Sequence, residues 1–421
     1  MIKQAIKKII GQENITFVRQ NLKAIKDRKY LHRHPRIQVV SNNLLYQKYA
    51  QKDKHVFFGY YDIPQLDAKE ERLLVHVVEK GAAAAKDRAE LGYCYVASGR
   101  YVPFAHTSAW CWQQGSRLRW HPTERNTVLF NDMRDGRYLT RVVNLEEGKT
   151  LSVISEPLYD LDPTGTFGLS VNFSRLQRLR PGYGYSALPD QTAGQAAPAA
   201  DGIFYVDIAR NKKELIISLA DLAAEVHDPS ADEHYINHVS ISPDGKKFMF
   251  FHIWTLKEDT HWKTRLCVYD LERGELKVLE EKDRVSHYDW IGSDRLIITC
   301  WDKDRRQYYC TYDAITGEKE RIDNKELAHD GHPTYLPDED IFISDTYPLA
   351  NDMQTLFEYD VKKDSYRPII RLYSEPRLYD EKRCDLHPRL SASGKYITLD
   401  TTCQNGVKQV LLIKNWRDRR N

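Results

Sequence analysis

Long hydrophobic runs are absent from this sequence of 421 residues. Nothing approaches the stretch of about 18 apolar residues that a membrane-spanning helix needs, so we expect no such helix. The opening segment, MIKQAIKKIIGQENITF, alternates lysine with isoleucine and lacks both a continuous apolar core and a small-residue cleavage site. We therefore expect no secretory signal peptide and predict a cytoplasmic protein.

Cysteine is scarce and unpatterned. The seven cysteines are odd in number and follow no repeated spacing, which argues against the disulfide framework of a small secreted domain. We expect reduced thiols, of which one or two serve as metal ligands. Hydrophobic residues make up 41% of the chain and tyrosine occurs 26 times, which is enough for a packed globular protein rich in β-sheet.

Positive charge is concentrated near the start of the chain. Residues 1–36 contain ten Lys/Arg and two acidic residues, whereas the whole chain has a net charge of only +2. Isoleucine, valine and leucine recur there at helical spacing, which predicts two short basic amphipathic helices with a break near Gly11. Through residues 1–30 this extension either contacts an anionic membrane, at its inner face, or packs on the main domain with its basic side outward. No aromatic-basic module accompanies the charge, so nucleic acid is not an expected partner.

Four segments in the second half repeat one unit of sequence. They begin at His238, His287, His332 and His387, which lie 49, 45 and 55 residues apart. In each unit a histidine opens a strand, a tight turn follows about five residues later, and a second apolar strand returns. A period of this size with paired strands is typical of the blades of a β-propeller.

Three further units without the histidine begin near residues 61, 117 and 158, which predicts seven blades. We expect an all-β fold with two parts: a basic amphipathic helical extension over 1–36 and a seven-bladed propeller over 37–421, with a long Gly/Ala/Pro-rich loop at about 180–202. The tail from Gln409 is the expected last strand, and the segment from Ile37 is expected to pair with it and close the ring. Two stacked β-sandwiches are the alternative, but the unit recurs in register and helical segments are nearly absent between 40 and 410.

Closing the ring brings histidines at the same blade position together near the central axis. Cys384 and His387 have a C-x-x-H spacing that lets a thiolate and an imidazole reach one ion. The expected metal ligands are His287, His332, Cys384 and His387, with His238 in reserve. Such a Cys/His set suits Zn²⁺ best, and Asp330 and Asp385 are expected to orient imidazoles. The alternative is that the histidines bond strand ends without a metal.

Tyrosine, arginine, glutamine and tryptophan occupy the corresponding places in the first half. Sugar hydroxyls bond planar polar groups and sugar ring faces stack on aromatic side chains, so these residues suit a carbohydrate site. The candidate substrate-binding residues are Tyr60, Tyr61, Trp112, His121, Tyr183 and Tyr235. The alternative for them is an ordinary role in the packing of the blades.

Taken in order, these motifs resemble those of the propeller-type polysaccharide lyases, namely the oligogalacturonate lyases and the ulvan lyases. The resemblance covers about residues 50–415 and is carried by Gly59-YYD, Trp112-QQG, Tyr159 with Arg175, Ser286-HYDW, Asp330-GHP and Asp385-LHPR. It implies β-elimination from a uronic acid, with Tyr159, Arg175, Gln114 and His287 as catalytic residues. It also implies a divalent metal. Cys384 stands where the oligogalacturonate lyases have a glutamine, so Zn²⁺ is favoured and Mn²⁺ is the alternative. The early histidine pair of the ulvan lyases is missing, since Cys94-Tyr95 and Gln113-Gln114 stand in its place.

Three functions follow from these features. The first is a lyase acting on an acidic, uronic-acid-containing oligo- or polysaccharide, in which Arg175 stabilises charge on the substrate carboxylate and lowers the pKa of Tyr159, the proton-abstracting group. The second is a non-catalytic carbohydrate-binding or assembly propeller in polysaccharide biosynthesis. The third, a scaffold of the WD40 type, is disfavoured by the axial histidines and by the absence of a Trp-Asp repeat.

Overall fold

Seven antiparallel sheets follow one another along the chain and form the seven blades of a β-propeller. The computed structural model describes residues 12–257, 259–336 and 338–417. Blade one contains β3 (Lys54–Phe57), β4 (Arg72–Glu79), β5 (Ala89–Tyr95) and β6 (Tyr101–Thr107). Blade two contains β7 (Arg119–Trp120), β8 (Thr127–Arg134), β9 (Arg137–Asn144) and β10 (Lys149–Ile154). Blade three contains β11 (Asp160–Leu161), β12 (Phe167–Ser170), β13 (Gly202–Asp207) and β14 (Lys212–Ser218).

The remaining blades include the four histidine units. Blade four contains β15 (Ala231–Ile241), β16 (Lys247–Leu256), β17 (Asp259–Asp270) and β18 (Glu275–Glu280). Blade five contains β19 (Arg284–Ile291), β20 (Arg295–Trp301), β21 (Gln307–Asp313) and β22 (Lys319–Ile322). Blade six contains β23 (Thr334–Leu336), β24 (Ile341–Asp345), β25 (Met353–Asp360), β26 (Ser365–Tyr373) and β1 (Ile37–Val39). Blade seven contains β27 (Arg389–Leu390), β28 (Ile397–Thr401), β29 (Gln409–Lys414) and β2 (Leu45–Tyr49). The predicted fold is confirmed.

The N-terminal strands close the ring in a way that differs from the expected pairing. Ile37 pairs with Leu372 at the outer edge of blade six, and it is Leu45 that pairs with Lys414 at the outer edge of blade seven. The N-terminal segment therefore adds the outermost strand to blade six and then to blade seven before the chain enters blade one. Strand β2 pairs over five residues, whereas β1 pairs over three.

The repeated turn is built by side-chain bonds to the backbone. In the unit of blade three, the Asp162 carboxylate accepts hydrogen bonds from the backbone N–H groups of Thr164, Thr166 and Phe167. Gly165 completes this turn with a φ of 74°, in the left-handed region that favours glycine. This local chemistry explains why the unit was recognisable from sequence in a blade that lacks the histidine.

The core lies between neighbouring blades. All eight residues of β25 and the first eight of β16 are buried, without the alternation of a half-exposed strand, because each blade is covered on both faces. Phe248 and Phe250 of blade four belong to the same buried cluster as Leu296 and Ile298 of blade five. The rigid ring that results holds the strand ends around the axis.

The described residues contain three α-helices besides the strands: α1 (Gln12–Leu31), α2 (Phe173–Leu179) and α3 (Leu219–Ala224). The 3-10 helices are Lys325–Leu327, Ala350–Asp352 and Asp380–Lys382. The expected helix break near Gly11 lies outside the described residues. In the described part of the chain no helix has the length and apolar character needed to cross a membrane. Helix α2 was not expected, and it begins because the Asn172 side chain caps it by accepting a hydrogen bond from the backbone N–H of Arg175.

Candidate active site

Four imidazoles meet at the axis of the propeller. His238 lies in β15 and His287 in β19, whereas His332 and His387 directly precede the first strands of blades six and seven. The ring centres of His287 and His332 are 4.0 Å apart, and those of His332 and His387 are 4.5 Å apart. All four side chains are buried. The common blade position of the repeat therefore produces a continuous histidine cluster.

Three of these imidazoles are held through Nδ1 by groups that only accept hydrogen bonds. His287 donates to Asp330 over 2.9 Å, His332 donates to Asp345 over 2.8 Å, and His387 donates to the Gly59 carbonyl over 2.8 Å. Because a carboxylate or carbonyl cannot donate, the proton lies on Nδ1 and the lone pair on Nε2. This is the tautomer of an imidazole prepared to bind a metal or accept a proton.

Gly59 is required at its position in this arrangement. Its φ is 124°, and a Cβ placed there would lie 2.9 Å from the backbone carbonyl carbon of Gln114. The Gly59 carbonyl also accepts a hydrogen bond from Arg389. A larger residue would displace the acceptor that orients His387.

His332, Asp385 and His387 form a candidate metal centre. Their ligand atoms lie within 4.8 Å of one another, and all three residues are buried. In the described part of the chain the Nε2 atoms of His332 and His387 have no hydrogen-bond partner. Unpartnered buried nitrogen atoms with their lone pairs beside a carboxylate fit a divalent cation, because otherwise each would cost desolvation free energy without compensation. Two nitrogen donors and one oxygen donor suit Mn²⁺ as well as Zn²⁺.

Cys384 and His287, which were also expected as ligands, lie outside this group. The Sγ atom of Cys384 lies 3.9 Å from the backbone oxygen of Asp385, and burial raises the pKa of the thiol. Asp385 and His387 instead share the centre with His332, and the argument for zinc that rested on a thiolate has no support from this group.

The pKa values of the cluster reflect burial and mutual charge. Burial lowers the pKa of His238 and His387 well below the ordinary value, and burial together with His332 lowers that of His287. Burial also opposes charge on His332, but Asp345 outweighs it and raises that pKa. Burial would raise the pKa of Asp330, yet His287 and nearby hydroxyl donors hold it below its usual range.

A cavity of about 400 Å³ adjoins the histidine cluster. His238 and His287 line it, together with Tyr347, whose hydroxyl lies 3.5 Å from His287 Nε2. Asp330 is also at the wall, where it accepts hydrogen bonds from Ser286, Thr299 and the Trp301 indole in addition to His287. The imidazole of His287 is therefore fixed on one side by Asp330 and borders the cavity on the other.

Two arginines on the cavity wall stack on one tryptophan. The guanidinium carbons of Arg180 and Arg284 lie 3.9 and 4.1 Å from the ring centre of Trp262. Neither arginine forms an ion pair with a carboxylate among the described residues, and Nε of Arg284 is buried without a partner. Burial and the nearby Arg180 lower the pKa of Arg284. Two cations in a concave site, neither of them in an ion pair among the described residues, form a receptor for an anionic group.

Tyr159 and Arg175 do not converge on the cavity. The Tyr159 hydroxyl accepts hydrogen bonds from Gln114 and the His238 backbone N–H and donates to Asn237. Arg117, not Arg175, stacks on the Tyr159 ring at 4.4 Å. Burial raises the pKa of Tyr159, opposite to the expected lowering. Gln114 likewise lies behind Asn237 and His238, which line the cavity.

The guanidinium of Arg175 donates its hydrogen bonds to backbone carbonyls, away from the cavity. The acceptors are the carbonyls of Thr192, Gln195 and Ala196 in the long loop and that of His234. The geometric reason is helix α2, which turns the side chain toward the loop and away from the axis. Arg175 thus organises residues 192–196 and is fully buried in doing so.

The expected substrate-binding residues fall into three places. Tyr183 lines the cavity. Tyr60, Tyr61 and Tyr235 are buried, the first two against the histidine cluster, and Trp112 packs on His55, Phe57 and Trp110 in the core. His121 lies in a separate outer groove, where its Nδ1 accepts hydrogen bonds from the backbone of its own turn.

Sequence reasoning did not identify Arg284, Trp262, Trp301, Tyr347 or Arg383 as cavity residues. Arg284 is the first residue of β19, three residues before His287, and Trp301 ends the strand that pairs with it. A search for basic and aromatic residues at the ends of strands next to each axial histidine would have found both.

No protein-family model and no curated protein matches this sequence. Two solved structures of oligogalacturonate lyase have the same fold. One, in complex with manganese, has 12% sequence identity and a TM-score of 0.64, with 90% of this chain and 94% of that chain covered. The other, from Vibrio parahaemolyticus, has 11% identity and a TM-score of 0.61, with 90% and 96% covered. The predicted resemblance to a propeller lyase is confirmed at the level of the fold.

Proposed function

We propose that this protein is a propeller-type lyase that cleaves an acidic, uronic-acid-containing oligosaccharide by β-elimination. The observation that carries the proposal is the position of His287. Its Nδ1 is held by Asp330, and it borders a cavity whose wall contains Arg180 and Arg284, two cations without an ion pair in the described part of the chain. An oriented base beside an anion receptor is what the removal of a proton next to a carboxylate requires.

The reaction needs a base, charge stabilisation and a proton for the leaving group. The base removes the C5 proton, the electron pair of that C–H bond forms the C4–C5 double bond, and the C4–O bond breaks. The departing oxygen takes up a proton. His287 is the base, because its Nε2 has the free lone pair. Arg180 and Arg284 stabilise the charge that develops on the adjacent carboxylate.

Tyr347 is the proposed proton donor to the leaving oxygen. Its hydroxyl lies 3.5 Å from His287 Nε2 and it lines the same cavity. Burial raises the pKa of Tyr347 well above its ordinary value, so the phenol keeps its proton. The base and the acid then stand side by side, which suits the loss of both substrate groups from one face.

His332, His387 and Asp385 are the proposed ligands of a divalent cation, Mn²⁺ or Zn²⁺. A cation bound there would supply positive charge beside the histidine cluster that borders the cavity. The His332 ring contacts the His287 ring, so the ligands also hold the base in place. We place the protein in the cytoplasm, which the seven free thiols support.

The second candidate is a non-catalytic carbohydrate-binding or assembly propeller in polysaccharide biosynthesis. The observation that favours it is the position of Tyr159 and Arg175, the pair that the resemblance assigned to catalysis, outside the cavity. Such a protein would keep the anion receptor and bind acidic glycans without releasing an unsaturated product.

A panel of uronides distinguishes the two. Oligomers of galacturonate and glucuronate are incubated with the protein in the presence of Mn²⁺ or Zn²⁺, and the unsaturated product is followed by its ultraviolet absorbance. We expect product from at least one uronide and none from its reduced, neutral analogue. Binding of a uronide without any product would support the second candidate and overturn the lyase.

A further inference from the structure

Helix α1 is attached to the propeller by its polar side. Lys23 forms an ion pair with Asp352, which lies at the end of a loop of blade six. Asp27 is 3% exposed beside the same carboxylate. At the end of the helix the Tyr30 hydroxyl accepts a hydrogen bond from Gln38. Charges and hydrogen bonds therefore fix the docked position of the helix.

The apolar side of α1 points away from the propeller. Val18, Leu22 and Ile25 lie opposite Asp27 at 100° per residue, and they are 54%, 61% and 56% exposed. Phe17, on the flank, is 58% exposed. A surface helix normally buries its apolar side and shows its polar side to solvent. This helix has the opposite orientation, so its apolar stripe is left for something outside the chain.

Basic residues surround this stripe. The exposed cations of the helix on or next to it are Arg19, Lys26, Arg28 and Lys29. Among residues 14–31 Asp27 is the sole acidic residue, and it is buried. In sequence, residues 1–11 add three lysines and no acidic residue. Within residues 14–31 the outward surface is thus apolar and bordered by positive charge.

We propose that the outward side of α1 binds an anionic lipid bilayer, with the stripe of Phe17, Val18, Leu22 and Ile25 inserted at the headgroup boundary. Apolar area and cationic charge act together in such binding, since anionic headgroups attract the basic residues. A second copy of the chain is a poorer occupant, because pairing two α1 helices would bring like charges together. The inference is independent of the proposed lyase activity.

The docked helix also relates the bilayer to the cavity. Asp352, the partner of Lys23, follows the segment that contributes Tyr347 and Leu349 to the cavity wall. Leu349 is itself among the exposed large apolar residues. The proposed lipid-binding helix is therefore docked beside the segment of blade six that borders the cavity.

Vesicle sedimentation with the full chain tests the proposal. Vesicles of phosphatidylcholine alone are compared with vesicles that also contain phosphatidylglycerol. We expect binding to the anionic vesicles only, weakened by salt, and a blue shift of the emission added by Phe17→Trp. Leu22→Ser with Ile25→Ser is expected to reduce partitioning at least about tenfold. Lys26→Gln, Arg28→Gln and Lys29→Gln together are expected to reduce it about a hundredfold.

Matched controls lie on the propeller. Leu276→Ser with Val278→Ser removes exposed apolar side chains from β18, and Lys52→Gln, Lys69→Gln and Lys212→Gln remove three exposed charges. These variants are expected to bind like the parent protein. The proposal would be overturned by equal binding to neutral vesicles or by equal losses in the controls. It would also be overturned if the protein did not bind vesicles and instead formed a dimer that Leu22→Ser with Ile25→Ser dissociates.

Discussion

The Nδ1 atom of His287 lies 2.9 Å from a carboxylate oxygen of Asp330, although one residue belongs to blade five and the other to the segment that leads into blade six. The bond sets the tautomer of the imidazole that borders the cavity. It also shows how the propeller builds a site, because three of the four axial histidines are oriented through Nδ1 by a group outside their own strand.

His287→Gln should lower kcat for β-elimination by about 10²- to 10⁴-fold, the usual contribution of a general base. Asp330→Asn should also lower kcat and leave KM unchanged, since an amide still accepts from Nδ1–H but does not stabilise the imidazolium. Initial rates of product formation measure both. His121→Gln, in the outer groove, is the control, and a loss there equal to that of His287→Gln would contradict the assignment.

Arg284→Gln and Arg180→Gln should each raise KM for an acidic oligosaccharide by about 10- to 100-fold, the range expected for a lost hydrogen bond between charged groups. Each should change the melting temperature only slightly, because the lost stacking on Trp262 is offset by relief of the repulsion between the two arginines. Calorimetric titration with the uronide and thermal unfolding provide the two readouts. Arg273→Gln, on the exposed surface, is the control. Unchanged affinity in both variants would exclude this anion receptor.

His332→Ala, His387→Ala and Asp385→Asn should each lose bound metal, whereas Cys384→Ser should retain it. The reason is that the first three contribute the clustered ligand atoms and the buried thiol does not. Elemental analysis of the purified proteins measures the metal. Saturating cation should also stabilise the parent protein, by about 2.7 kcal/mol at a hundred times Kd. Loss of metal in Cys384→Ser would instead show that the thiolate is a ligand, as in the Cys/His set expected from the sequence.

Tyr159→Phe should destabilise the fold by about 1–3 kcal/mol while catalysis persists in the folded fraction. Its hydroxyl makes three hydrogen bonds, so its removal leaves a buried amide and a backbone N–H without their acceptor. Arg175→Gln should destabilise further, since carbonyls of the long loop lose their donor. Denaturant unfolding and specific activity test this pair. If either variant lost activity with unchanged stability, the substituted residue would have to be assigned a catalytic role.

Docking of α1 should weaken as pH rises from about 4 to 7. Burial and the adjacent Asp352 carboxyl raise the pKa of Asp27 to about 7, against the opposing effects of Lys23 and Tyr373. The docked state therefore binds more protons than the undocked state between about pH 4 and 7, and its stability falls over that window. Hydrogen exchange in α1 at pH 6 and pH 8 measures the change. Asp27→Asn should remove the difference, and a difference that persists would exclude Asp27 as its cause.

Local pattern in the sequence was sufficient for the blades and for the axial histidines. A turn such as that at Asp162 is stabilised by bonds within five residues, so its spacing along the chain reports the number of blades directly. The histidine that opens each unit keeps the same place in its blade, and closure of the ring by β2 and β29 then brings the four units together. Period and strand order are properties of the sequence alone.

The tertiary structure decided which atoms face one another. Arg180, Trp262 and Arg284 meet from three separate segments, and no spacing relates them. Arg117 takes the place beside Tyr159 because α2 directs Arg175 into the long loop. The spacing of apolar residues in α1 predicted an amphipathic helix. The outward direction of its apolar side depends on the ion pair of Lys23 with Asp352, 329 residues away. Contacts between distant segments depend on how the blades and loops pack, and a repeat constrains only what lies within one blade.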